Sequence, residues 1–271
     1  MPDLYSIIGA ILIGLSLGLL GSGGSILTVP ILLHLGHSDK QAIAEALAIV
    51  GAICFFGAIR NAFGRTLDWR AAVLFALPGM GGSFLGAYLA HFIPGALQIV
   101  ILGIIMLLAA AMMAFFRVKE SHASHKAHPV PMLLAGLGVG LVTGLVGVGG
   151  GFLIVPALVF FGGLPLKRAI GTSLAVIAFN SAVGFLKYDS VLEEHQEHVD
   201  WYTIGLFASV GVVGTLIGTA IGARVNQRIL KKIFAVFLVF MAIYLITQRL
   251  PRLDIHLPWQ RQLVPAQPSE K

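Results

Sequence analysis

The sequence predicts an all-α polytopic membrane protein made of two related halves, and three observations carry that expectation. Of 271 residues, 57% are hydrophobic and only 11% charged, where a soluble domain carries about 25% charged residues. The apolar residues gather into eight runs, most of them about as long as one bilayer crossing needs. Two stretches also nearly repeat, 126 residues apart: Gly18 to Pro30 reads GLLGSGGSILTVP and Gly144 to Pro156 reads GLVGVGGGFLIVP.

The eight runs cover 6–36, 40–60, 70–92, 96–116, 131–162, 166–187, 201–223 and 229–248. Six are 20–23 residues long, enough to span a ~30 Å hydrocarbon core. The first and fifth, at about 31–32 residues, would reach roughly 45 Å as straight helices at ~1.5 Å per residue. Both contain a glycine cluster, which weakens a helix by roughly 1 kcal/mol per glycine against alanine. Each is therefore expected to fold as a re-entrant hairpin of two half-helices.

Basic residues decide between eight crossings and six crossings with two hairpins. Eight crossings divide Lys and Arg 10 to 7. Two hairpins divide them 12 to 5, with Arg60, Arg65, Arg70, Lys167 and Arg168 on the rich side. The richer side is expected to be cytoplasmic. This arrangement puts both termini outside, along with an acidic loop holding Asp189, Glu193, Glu194, Glu197 and Asp200. Three crossings plus one hairpin per half is an odd count, so the halves are expected to be inverted relative to each other. They are residues 1–117 and 131–250, joined by a His-containing linker at 118–130 and followed by a Pro-containing tail at 251–271.

The duplication extends beyond the glycine clusters. Ala42–Ala48 matches Ala169–Ala175, Asp68-Trp69 matches Asp200-Trp201, and Gly79, Gly82 and Gly86 match Gly211, Gly214 and Gly218. Small residues four apart allow close helix crossings, and packing is the expected role of Gly82/Gly86, Gly214/Gly218, Gly14/Gly18 and Gly140/Gly144.

Binding chemistry is expected where the helices break. Glycine lets a ligand approach the backbone, and N–H groups freed in hydrocarbon need a partner. Half-helix N-termini near Gly24 and Gly150 would present such groups with partial positive charge, favouring an anion. The candidate substrate residues are Gly21, Ser22, Gly23, Gly24 and Ser25 in the first copy, and Gly147, Gly149, Gly150 and Gly151 in the second. Thr172, Ser173 and Asn180 join them if the sixth segment packs beside its hairpin. A plain kink in a long tilted helix is the competing reading of the glycines. Glu45 lies about one and a half turns into an apolar segment, where the other copy has Thr172. An intramembrane carboxylate is a functional candidate, here for carrying a coupling proton. The alternative is a solvated position, or pairing with Lys40.

Several function classes are excluded. The single cysteine, Cys54, supports neither a disulfide framework nor a multi-cysteine metal site. His122, His125 and His128 read as a solvated linker, and Glu193–His198 as a solvated charged loop. No cleavable signal peptide is expected, because no basic region precedes the first apolar run. No P-loop is present, no cofactor is expected, and nucleic-acid binding is not implied by basic residues confined to short loops. Only Glu45 and His91 approach the membrane interior as ionisable groups, too few for an enzyme.

The doubled G-x-G-G-[GS]-x-L-x-V-P motif, with Ala169-Ile170-Gly171-Thr172-Ser173-Leu174-Ala175 after the second copy, resembles the TauE/SafE family of membrane permeases. The resemblance covers residues 6–248. It implies secondary transport of sulfur-containing or small organic anions, such as sulfite or sulfonates, in the cell inner membrane. The chain departs from the family pattern at Glu45-Ala46, where the family tends to have Thr-Ser, and in the G-S-G-G-S of the first cluster. The expected partners are a small anionic substrate and the lipid bilayer, and the composition is compatible with a homo-oligomer. A passive anion channel is the alternative conduit.

Overall fold

A computed structural model describes residues 4–20, 25–115, 129–194, 197–222 and 227–250. Among the described residues all regular structure is helical. The helices are α1 (Leu4–Leu20), α2 (Thr28–His34), α3 (Asp39–Phe63), α4 (Trp69–Ala90), α5 (Gly95–Phe115), α6 (Pro129–Val146), α7 (Gly151–Phe160), α8 (Leu166–Glu194), α9 (Trp201–Gly222) and α10 (Gln227–Arg249). Six of them, α3, α4, α5, α6, α8 and α9, are long and apolar enough to cross a membrane. The His122–His128 linker and the tail after Leu250 lie outside the described residues.

Local chemistry sets the helix ends. Ser38 caps α3, its hydroxyl accepting from Gln41 N–H at 3.2 Å, and Asp68 caps α4 through Ala71 N–H at 3.0 Å. Each side-chain oxygen satisfies one of the N–H groups a helix start leaves free. The fifth run breaks at its glycines, and the first is divided into two helices. α1 stops at Leu20, and after a 3₁₀ turn at 25–27 the short α2 begins. α6 stops at Val146; Gly147, Gly149 and Gly150 then take φ of 75°, 68° and 67°, a region open to glycine at little cost.

The sixth run departs from expectation. α8 continues to Glu194, so Asp189, Glu193 and Glu194 belong to its last turns and not to a loop. The physical reason is burial. Tyr188, Val191 and Leu192 are in the core, and the Tyr188 hydroxyl donates to Gln98 Oε1 of α5 at 2.7 Å.

Glycines set the crossings. On α1, a Cβ at Gly14 would lie 2.6 Å from the Gly211 carbonyl of α9, and on α9 a Cβ at Gly218 would lie 3.0 Å from Gly18 Cα. These contacts advance in the same sense, so α1 runs parallel to α9. α6 runs parallel to α4 in the same manner, with Gly136 against Phe75, Gly140 against Gly79 and Gly144 against Ser83. Central α3 and α8 cross antiparallel, at Gly51 against Ser181 and Gly57 against Leu174. Antiparallel α5 and α10 meet at Gly103 and Ile246.

The bundle has two ends. One, here face A, holds His37, Asp39, Gly95, Glu194, Asp200 and Arg249, stitched by Arg249–Asp39 at 2.8 Å and His91–Glu194 at 3.0 Å. The other, face B, holds Arg60, Arg65, Asp68, Lys167 and Arg168, with Gly171 seated against Thr66. α1 starts at face A and α2 returns there, Gly9 lying against both Ile31 and Phe207. α6 starts at face B alongside the start of α4, and α7 leads back to α8 at face B. The outer surface is apolar, with Phe63, Leu77, Leu134, Leu186 and Phe240 exposed, as suits a lipid solvent. Trp69 and Trp201 stand exposed at faces B and A, where indole rings favour the membrane–water interface. An open apolar groove of about 470 Å³ lies on the outer side of α4 near face B, lined by Trp69, Arg70, Val73, Leu74, Leu77 and Leu133.

Candidate functional site

Two polar clusters stand out, one central and one at face A. At the centre the two glycine-broken segments touch. Ser25 Oγ donates to the Val148 carbonyl at 2.6 Å, with both ends buried. Beside them is Gly149, where a Cβ would lie 2.9 Å from Val50, 3.2 Å from Ile177 and 3.4 Å from Ser25 Oγ. Any side chain there would collide with α3 and α8 at once. One turn along α8 from Ile177 is Asn180, fully buried. Its Nδ2 and Oδ1 find no hydrogen-bond partner among the described residues, and neither do Ser181 Oγ and Thr28 Oγ1. A buried amide without partners costs about 1–3 kcal/mol. Gly79 of α4 makes room for it: a Cβ there would lie 2.6 Å from Asn180 Nδ2.

The other sequence candidates scatter. Gly21, Ser22, Gly23 and Gly24 lie outside the described residues. Gly147 sits against Ile43, Gly150 against Thr143, and Gly151 opens α7. Thr172 lies eight positions from Asn180 on α8, about 12 Å along the axis. Its hydroxyl accepts Asp68 N–H at 3.0 Å, near face B. Ser173 Oγ donates back to the Ile170 carbonyl at 2.8 Å.

Glu45 belongs to the second cluster. It is fully buried, so it is not solvated, and the side chain beside it is the His37 imidazole, whose Nδ1 is 2.8 Å from Oε2. Its other oxygen, Oε1, accepts Asp200 N–H at 2.9 Å. The hydrogen bond to Glu45 raises the His37 imidazole above its ordinary value, outweighing desolvation. Asp200 caps α9 through Tyr202 N–H and accepts from Thr203 Oγ1 at 2.6 Å. That hydroxyl bond leads the groups holding its carboxyl below the usual range. Sequence reading missed His37, a lone loop histidine eight residues before Glu45 with no helical register to link them. It also missed Ser181 and Thr28, which look like ordinary small polar residues of apolar helices.

The family model described as "Sulfite exporter TauE/SafE" matches residues 6–245. The chain belongs to the TauE/SafE family. It is 33% identical over 246 residues to a probable membrane transporter protein of Xylella fastidiosa strain 9a5c, covering 87% of this chain and 91% of that protein. A probable membrane transporter protein of Methanocaldococcus jannaschii is 29% identical over 189 residues, 66% of this chain and 70% of the other. YunE of Bacillus subtilis, also called a probable membrane transporter protein, is 26% identical over 226 residues, covering 73% and 81%. No solved structure matches. The TauE/SafE protein described here is thus a multi-helix membrane transporter, and its glycine breaks fall within the matched region.

Proposed function

We propose that this transporter carries small sulfur-containing or organic anions, of the sulfite or sulfonate type, by alternating access around a site at the centre of the bundle. The observation that carries the reading is the Ser25–Val148 hydrogen bond, which joins the two glycine-broken segments inside the core. Broken helices from opposite sides meeting near the midplane are the arrangement that secondary transporters use for their guests.

An inverted duplication accounts for the paired contacts. α1 and α2 start and end at face A, α6 and α7 at face B. Gly14 packs on Gly211 as Gly140 packs on Gly79. Glu45 accepts Asp200 N–H as Thr172 accepts Asp68 N–H. In this reading the two broken segments are re-entrant hairpins flanked by three crossings each. Face B, with Arg60, Arg65, Arg70, Lys167 and Arg168, is cytoplasmic by the positive-inside bias, which puts both termini outside a cell inner membrane.

The guest is held by the backbone of Gly147–Gly151, by Ser25 and by the Asn180 carboxamide, whose N–H₂ group is an anion donor without formal charge. Gly21, Ser22, Gly23 and Gly24 enter the proposal on their sequence pattern alone. Thr172 and Ser173 serve the architecture of α8, and Glu45 serves proton coupling together with the His37 imidazole beside it. Uptake of radiolabelled sulfite and of a small sulfonate into proteoliposomes, with and without a proton gradient, tests the reading. Accumulation against a concentration gradient is the expected result. Flux that only dissipates such a gradient would make the protein a passive channel, and no flux of either anion would remove the substrate class.

A further inference from the structure

The two halves carry the same joint at opposite faces, and one of the two joints can bind a proton. Gly36 and Gly163 both have positive φ, 96° and 62°. In each case the next residue donates its N–H back to the half-helix, His37 to the Leu32 carbonyl at 3.3 Å and Leu164 to that of Leu158 at 3.2 Å. Eight residues further on, Glu45 and Thr172 each accept the N–H of the aspartate that begins a helix from the other half of the chain. His37 and Glu45 therefore stand where the opposite face has Leu164 and Thr172.

We propose that His37 and Glu45 form a proton-operated latch at face A, closed when His37 is charged, with no titratable counterpart at face B. This deepens the transporter reading and rests on it. The geometry explains the latch. Glu45 is fully buried and holds two things at once: His37 at the exit of the first hairpin and the start of α9 through Asp200 N–H. The His37 side chain retains 13% exposure, so it takes its proton from water at face A and returns it there. Ser38 Oγ donates to Glu197 Oε2 at 2.6 Å and Gln41 Nε2 to the His198 carbonyl at 3.1 Å, so the same two segments close together.

The titratable and charged groups at face A, where His37 sits, are His34 on α2, Asp39 and Lys40 on α3, Glu194 on α8, Glu197, His198 and Asp200 in the following loop, and Arg249 on α10; of these Asp200 acts on His37 alongside Glu45. Acidic groups outnumber fixed cations, and Glu45 and Asp200 both favour the charged imidazole. A folded-state value raised above the unfolded one makes this contribution complete below about pH 6.5 and lost as pH rises through the folded value. Alkaline conditions at face A thus release the latch.

Spin labels on His34→Cys and Tyr202→Cys, in the full chain with Cys54→Ser and in lipid nanodiscs, read the joint by pulsed dipolar spectroscopy from about pH 5.5 to 8.5, the range in which histidine titrates. The expected result is one short distance in acid and a longer one growing above about pH 6.5, with the ratio changing by up to about tenfold per pH unit, as one proton requires. His37→Gln keeps a hydrogen-bond donor but cannot titrate, and should flatten the dependence to under about twofold across the range. Glu45→Gln, which keeps an acceptor for Asp200 N–H, should flatten it too. Wild-type distances that ignore pH, or a dependence surviving His37→Gln, would overturn the proposal. A pH-dependent distance in protein that moves neither sulfite nor sulfonate would uphold the latch while removing the proposed guest.

Discussion

Replacing Asn180 by isoleucine should make the protein more stable and stop transport. The two halves supply the comparison. Isoleucine already occupies the matching place on α3, where Ile53 nests against Gly211, just as Asn180 nests against Gly79. An isoleucine at 180 therefore has a tested fit: a side chain lying over a glycine that offers no Cβ. Asn180 is fully buried with both amide atoms unpartnered among the described residues. Replacing such a group by an apolar one that the site accommodates, as the other half accommodates Ile53, removes a desolvation cost of about 1–3 kcal/mol. Thermal unfolding in detergent should show the gain, and uptake into proteoliposomes should fall to the level of empty vesicles. An amide kept at that cost is what the proposed guest site requires. Wild-type uptake by Asn180→Ile would refute the assignment, and a loss of stability would refute the packing argument beneath it.

Three further outcomes follow from named contacts. Gly14→Ala places a Cβ 2.6 Å from the Gly211 carbonyl, about 0.8 Å inside ordinary contact at 3.4 Å; forcing two backbones apart should cost about 1–3 kcal/mol by thermal unfolding. Gly205→Ala on the same helix pair, where a Cβ meets nothing within 4 Å, should cost nothing. Thr172→Val deprives Asp68 N–H of its acceptor and should lower stability by about 1 kcal/mol, with the anion affinity from uptake kinetics unchanged. Glu45→Ala, which leaves both the His37 imidazole and Asp200 N–H without their partner, should unfold at lower temperature than Glu45→Gln, the gap corresponding to about 1–3 kcal/mol.

The sequence made the helix breaks legible because glycine clusters in apolar runs have few other uses. The grouping of Lys167 and Arg168 with Arg60 and Arg65 was legible for a similar reason, since charge can sit only at the bundle ends. Glu45 was visible as an oddity, but its partners were not. His37 reaches it across a turn set by the positive φ of Gly36, and Asp200 lies 155 residues away; neither follows from periodicity. The end of α8 was misread because Asp189, Glu193 and Glu194 look like loop residues. Tyr188 and Leu192 pin the opposite side of the helix, and that tertiary contact overrides composition. Thr172 and Ser173 drew attention by motif alone, whereas the structure spends both hydroxyls on backbone.

The parallel glycine crossings bear on what the protein's units are. α1 belongs to the first half of the chain but is seated on α9 of the second, and α6 of the second half is seated on α4 of the first. Backbone touches backbone in both places, so these pairs move together or not at all. Under the proposed alternating access, the bodies that rock against each other are therefore mixed, each holding one glycine-broken segment and a crossing helix from the other half. Neither half alone presents a complete glycine seam, so a chain cut within the linker should yield two fragments that become stable only when made together. The proposed duplication draws one boundary through this molecule, and packing draws another across it.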